Sequence, residues 1–336
     1  MPVDNDIFNV VPGFEELECS SIGLGMAALG RPGYINLGHG SDVIDKDYAA
    51  MRQHAHAMLD EAYACGVRYF DTAASYGAGE KFLGEWLFSR NLHMSGVTVA
   101  SKWGYTYTAD WQVDAEVHEV KEHSLENLNR SSFWSCLYLG QAMVIYQIHS
   151  ATFDSGVLDN EKVLHRLAEI RQDGRLIGLT VSGARQAELI DRALEIRIDG
   201  VPLFATVQAT WNILEPSSGA ALARAHDAGL AVIVKEALAN GRLTERNSAP
   251  EFKSRLAILS AQAERFGCSL DALAIAAAVN QPWSRVTLSG ATTIEQLNSN
   301  LSARDVNWDV QAADALAGLA EPVEEYWQTR SALQWN

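Results

Sequence analysis

Four residues at the ends of three apolar runs have the chemistry to move a proton: Asp71 and Tyr76 in RYFDTAASYG, Lys102 in VASKWGY and His149 in VIYQIHS. A phenol that titrates at about 10 is a poor acid at neutral pH, but a neighbouring ammonium stabilises phenolate and lowers that value. A carboxylate in turn keeps the ammonium charged and in place, so Asp71, Lys102 and Tyr76 are a chain of suitable types. A neutral imidazole from His149 then hydrogen-bonds the same carbonyl oxygen or relays its proton. The expected chemistry is proton donation to a carbonyl as hydride arrives, or the reverse. Singly, each residue has a plainer reading: Asp71 caps a helix or closes a turn, Lys102 is a rim charge, His149 a satisfied core imidazole and Tyr76 a packing ring. Delivered together by consecutive strand ends, they point to catalysis.

Such delivery needs parallel strands whose C-terminal ends share one mouth. From about residue 20 onward, short β-rich apolar runs alternate with segments whose apolar residues recur at helical spacing, the mark of repeated βαβ units. Strands are expected at Ser21–Met26, Val67–Asp71, Val97–Lys102, Met143–His149, Leu176–Ser182, Phe204–Gln208, Ala231–Lys235 and Val286–Ser289. Eight of them predict an α/β fold, a (β/α)8 TIM barrel forming one domain over residues 1–336. The intervening helices are expected at Asp47–Cys65, Glu80–Phe88, Asp114–Asn129, Asn160–Gln172, Arg185–Ile196, Gly219–Asp227 and Ile294–Ser302. Extra helical patterns follow the seventh strand, at Glu251–Phe266 and Leu270–Val279, and Asp309–Glu325 reads as a terminal helix. Ser131–Gln141 is apolar and aromatic without clean periodicity, where the third helix runs into the fourth strand.

With 48% hydrophobic and 20% charged residues among 336, the chain can bury a sizeable core and is neither disordered nor fibrous. Its 26 basic against 42 acidic side chains give −16, a field that repels phosphate backbones and anionic membranes, so neither nucleic acid nor membrane is an expected partner. Four dispersed cysteines without a CxxC pair, and an N-terminus lacking the basic-then-apolar pattern of a leader, imply reduced thiols and a cytoplasmic location. No apolar run approaches the ~18 residues of a spanning helix. Gly23-Leu24-Gly25 and Gly77-Ala78-Gly79 lack the third glycine of a dinucleotide fingerprint and read as tight turns. His118 and Glu122 fall at i, i+4 on an expected helix with no third ligand evident, and no metal is expected.

The segment DTAASYGAGEKFLGEWL, followed by ASKWG and YQIH, resembles the aldo-keto reductases, and the likeness runs from Ile22 to Leu301. That resemblance implies an eight-fold barrel holding an extended nicotinamide cofactor, NADP or NAD, across its C-terminal face without a Rossmann domain. Asp71, Tyr76, Lys102 and His149 fall on the family's tetrad, whose tyrosine is the general acid. Gly25 and Met26 fall on the cofactor side at the end of the first strand. Ser182 sits where the family's serine anchors the carboxamide, with Gly183 in place of the usual asparagine and Gln208 placed to hold the same amide. Trp211 falls where an aromatic ring stacks on the nicotinamide. In KEALANGRL, Leu238 and Gly241 match the pyrophosphate loop, while Glu236 replaces a small polar residue and either repels phosphate or accepts from sugar hydroxyls. In SGATTIEQLNSN, Gly290, Thr292, Thr293, Gln296 and Asn300 match the adenosine-end motif, without the basic side chains that often clamp a 2′-phosphate.

Substrate contacts are expected from the loops Gly30–Asp45, Trp103–Trp111 and the stretch after Lys235, with Tyr34, Trp103, Tyr105 and Tyr107 as candidates. Aromatic faces with polar edges suit a sugar or another small aldehyde. The expected activity is an NAD(P)-dependent interconversion of a small aldehyde, ketone or sugar with its alcohol or lactone. Some relatives of this fold act mainly as partners of other proteins, so the alternative is a cofactor-binding regulatory or scaffolding subunit.

Overall fold

The computed structural model describes residues 13–94 and 96–336. The stretch examined above for a leader, residues 1–12, lies outside them. Eight parallel strands close into a barrel in sequential order: β1 (Ile22–Gly25), β2 (Tyr69–Asp71), β3 (Thr98–Trp103), β4 (Met143–Ala151), β5 (Leu176–Val181), β6 (Thr206–Thr210), β7 (Ala231–Lys235) and β8 (Ser284–Ser289). β1 pairs with both β2 and β8, so the barrel sheet has no open edge. The fold is the expected (β/α)8 TIM barrel.

Side chains of a strand alternate between two faces, and here the alternation separates two cores. One cluster, containing Tyr69, Ala100, Ile145, Ala231, Ile233 and Val286, fills the barrel floor. A larger one, including Phe70, Val99, Ile148, Val207 and Val232, packs the outer faces against the helices. Two positions beyond a floor residue therefore lies a mouth residue: Asp71 after Tyr69, Lys102 after Ala100, Lys235 after Ile233.

Two expected helices were misdrawn. Asp114–Asn129 is not a helix: Glu119–Lys121 pairs antiparallel with Tyr105–Tyr107 as a rim hairpin, so His118 and Glu122 flank a strand. The helix starts later, at Leu125–Leu139, where Ser124 Oγ accepts from Asn127 N at 3.1 Å and caps it. It runs through the stretch that lacked periodicity, and its amphipathicity is inverted. Ser131, Ser132 and Ser135 are buried, while Phe133 and Leu137 are 63% and 61% exposed beside Trp134 and Tyr138. Ser135 Oγ donates to Glu80 Oε1 at 2.6 Å, and Ser101 Oγ to the same oxygen at 2.5 Å. Ser135 thus serves a buried carboxyl on the preceding helix, Gly79–Ser89, while Ser131 and Ser132 bond Asn127 Oδ1 and Asn129 O of their own helix, and the aromatic side chains are left outside. Asp309–Glu325 divides into Val310–Ala317 and Val323–Ser331, because Pro322 cannot continue a helix and instead opens the second one. Among the described residues no helix is long and apolar enough to cross a membrane.

Candidate active site

Four strand ends and the turn after β2 bring the proton-moving set together. Lys102 Nζ donates to Asp71 Oδ1 and to Thr72 O, the latter at 2.9 Å, and both side chains are almost wholly buried. Gln208 Nε2, from β6, donates to Asp71 Oδ2 at 2.9 Å, so each carboxylate oxygen has a partner. Tyr76 reaches the mouth on a turn that packs against residue 30, where a Cβ would lie 2.3 Å from Tyr76 O, so only glycine fits. The Tyr76 and His149 rings meet edge to face with centroids 5.5 Å apart, and Lys102 Nζ lies 4.9 Å from the phenol ring.

The electrostatics depart from expectation at Tyr76. Burial, reinforced by Asp71 and opposed by Arg31, pushes the phenol well above its ordinary range, and Lys102 Nζ bonds Asp71 rather than the phenol oxygen. Tyr76 is held as a neutral acid rather than drawn toward phenolate. Burial, with the charges of Lys102 and Arg31, holds His149 well below its usual range, so the imidazole is neutral as expected. Its Nδ1 lies 3.5 Å from Ser75 Oγ.

These groups open into a cavity of about 800 Å³ that runs from Tyr76 and His149 past the ends of β7 and β8. Its wall includes Gly25, Ser182, Gln208, Leu238, Gly241, Gly290, Thr292, Gln296 and Asn300. Ser182 is followed by Gly183 at φ +97°, a left-handed backbone that explains glycine where asparagine was looked for. At the far end Asp42 accepts from Thr292 Oγ1 and Gln296 Nε2, each at 3.0 Å, and pairs with Arg246 at 2.5 Å, bridging the cavity.

The match to known proteins spans nearly the whole barrel: a model described as the aldo/keto reductase family covers residues 21–321. The chain belongs to that family. Members are oxidoreductases, in general NAD(P)-dependent. Among curated relatives, norsolorinic acid reductase stcV of Emericella nidulans is 27% identical over 76% of this chain and 69% of its own length. L-galactose dehydrogenase of Arabidopsis thaliana is 24% identical over 80% and 85%. Among solved structures, aldo-keto reductase AKR11C1 from Bacillus halodurans in its holo form superposes with a TM-score of 0.69 at 20% identity, covering 93% of this chain and 96% of that one. The glycerol dehydrogenase AKR11B4 of Gluconobacter oxydans gives 0.69 and 20%, with 93% and 94% covered.

Within this aldo/keto reductase, strand parity displaces three expected site residues. Trp103 follows inward-facing Lys102, so it points outward and is fully buried in the outer core, away from the cavity. Trp211 shares the outward parity of Val207 and Ala209 and packs edge to face on Trp283 at 5.7 Å, not against the cavity. Met26 is likewise wholly buried in the outer core. Tyr34 and Tyr105 do line the cavity, whereas Tyr107 is not part of its wall. Burial pushes Tyr105 up to about 12.

Glu236 does not face the cavity as a free carboxylate. It sits at φ +58°, a strained left-handed backbone, held by Arg330 Nη2 at 2.5 Å and Thr210 Oγ1 at 3.1 Å. Burial opposes its ionisation, but Arg330 and Lys235 outweigh it and hold the group down to about 2. Sequence reasoning missed Lys235, although the strand-end rule that found Lys102 applies to it equally. It also missed Arg31, which is 3% exposed, bonds Glu119 at 2.8 Å and lies 5.1 Å from the Tyr76 ring. No local pattern links partners so far apart in the chain. The tail closes the same side: Trp335 stacks on His118 at 3.9 Å, and Asn336 exchanges backbone bonds with Tyr34.

Proposed function

We propose that this oxidoreductase interconverts a small aldehyde, ketone or sugar with its alcohol or lactone, using NADP or NAD, with Tyr76 as the general acid and base. The observation that carries the reading is a neutral phenol and a neutral imidazole meeting at one end of an elongated cavity, above a buried Lys102–Asp71 pair. The donor set fits a dinucleotide: Ser182 beside the tetrad, Leu238 and Gly241 in the middle, and Thr292, Gln296 and Asn300 at the far end. A bound nicotinamide supplies or accepts the hydride.

The chain's own residues do the rest. Tyr76 donates its proton to the carbonyl oxygen in reduction and takes it back in oxidation. His149 hydrogen-bonds that oxygen and orients it. The Lys102 ammonium, fixed by Asp71, sits 4.9 Å from the phenol ring and stabilises negative charge as the proton leaves. Tyr34, Tyr105 and the Arg31–Glu119 pair shape the substrate side.

The test is nicotinamide absorbance with a panel of aldehydes and sugars. NADH and NADPH are assayed separately, because Asp42 repels a 2′-phosphate while Arg246 beside it attracts one. Tyr76→Phe is expected to lower turnover by about 10²–10⁴ with cofactor affinity nearly unchanged. Retained turnover removes Tyr76 from the mechanism. Cofactor binding without turnover on any substrate supports the regulatory-subunit reading instead.

A further inference from the structure

Among the described residues, one largely enclosed cation at the barrel mouth has no carboxylate within hydrogen-bond distance. Lys102 is paired with Asp71, Arg330 with Glu236 and Arg31 with Glu119. Lys235 Nζ instead spends its close hydrogen bonds on two neutral hydroxyls, Ser182 Oγ at 3.1 Å and Thr210 Oγ1 at 2.7 Å. The nearest carboxylate oxygen, on Glu236, is 3.9 Å away and already bonded by Arg330. Lys121 also bonds neutral oxygens, but from the exposed rim hairpin. Lys235 continues the floor row Ala231, Ile233 and lines the cavity. It therefore carries a positive charge, bonded directly by no carboxylate, to the point where Ser182 lines the cavity.

A nicotinamide ring is cationic when oxidised and neutral when reduced. Like charges a few ångströms apart repel far more strongly in an enclosed site than in bulk water. We infer that Lys235 is the residue that sets which redox form of the cofactor this site prefers, favouring binding of the reduced dinucleotide over the oxidised one. The inference rests on the proposed function, in which Ser182 stands by the carboxamide.

Its pH behaviour follows from the surroundings. Burial lowers Lys235 to about 8, opposed by Glu236 and assisted by Arg330 and Lys102. The other groups facing it are Asp71, which is bonded to Lys102, and His149, which is neutral. Glu236 stays ionised and Arg330 is held cationic by it throughout the neutral and mildly alkaline range. Between pH 7 and 9 the charge that changes beside the ring is that of Lys235.

The experiment is a binding titration of both redox forms, followed by tryptophan quenching and by reduced-cofactor fluorescence, from pH 6.5 to 9.5. Wild type, Lys235→Met and Lys235→Arg are compared after circular dichroism has verified folding. In wild type the ratio of the oxidised to the reduced Kd is expected to exceed ten at pH 7 and to fall as pH rises through about 8. Lys235→Met is expected to lower the ratio about tenfold at pH 7 and to abolish its pH step. Lys235→Arg is expected to keep the ratio and lose the step, since a guanidinium does not titrate there. An unchanged ratio in folded Lys235→Met overturns the inference and leaves the oxidoreductase reading standing. Failure of wild type to bind either form overturns that reading, and the inference with it.

Discussion

Lys102 and Asp71 show how much at this site depends on a single pair. An ion pair buried this deeply is weak evidence for net stability, yet removing one partner strands the other charge away from water. Asp71→Asn is expected to destabilise the protein by about 3–5 kcal/mol in urea unfolding at pH 7. Asp71→Asn combined with Lys102→Met is expected to recover much of that loss, and additive losses in the double variant would show that the two charges act independently. At this scale the sequence was readable for residue type and incomplete for direction. Lys102 and His149 were found because polar residues end apolar runs. Trp103 faces outward because fixing Lys102 inward turns its neighbour the other way, and Trp211, placed at the cofactor by resemblance alone, shares the outward parity of Val207 and Ala209. Whether the ammonium touches the phenol or the carboxylate is a matter of ångströms, which no spacing encodes.

The helix Leu125–Leu139 makes the corresponding point for elements. Its serines face in, Ser135 donating to Glu80, which is 5% exposed, and a pattern search for apolar inward faces finds no period in such a segment. Burial raises the Glu80 carboxyl above its ordinary value despite both serine bonds and Lys102. A folded state that binds this proton more tightly than the unfolded chain loses stability as pH rises through the folded value. Glu80→Gln removes that loss while keeping an oxygen to accept from Ser101 and Ser135. The stability of the variant relative to wild type is therefore expected to climb as pH rises above the ordinary carboxyl range and to level off once the folded carboxyl is ionised. Urea midpoints measured at each pH check this, and a difference that shrinks with rising pH would falsify the assignment. The second strand of the rim hairpin, Glu119–Lys121, falls within the expected helix Asp114–Asn129 because three residues are too few for alternation to register.

For the whole molecule, the barrel was legible because eight apolar runs with helical intervals leave few other architectures. What closes the cavity was not, since it comes from the C-terminal helix and tail meeting loops of distant sequence, as Arg330 does with Glu236 across 94 positions. A ligand bound only by the folded state stabilises it, by about 2.7 kcal/mol at a hundredfold excess over its Kd. A dinucleotide filling this cavity is accordingly expected to raise the Tm by roughly 5 °C in a thermal scan, for whichever of NADH and NADPH binds. No rise with either would remove both as ligands. The rim hairpin has a further consequence. It pairs chiefly with itself and is tied down through Arg31 and Glu119, so its length and side chains can change without disturbing the register of any barrel strand. The residues proposed to move a proton and this part of the cavity wall are thus separate stretches of polypeptide, and a lineage is free to exchange the second while inheriting the first intact.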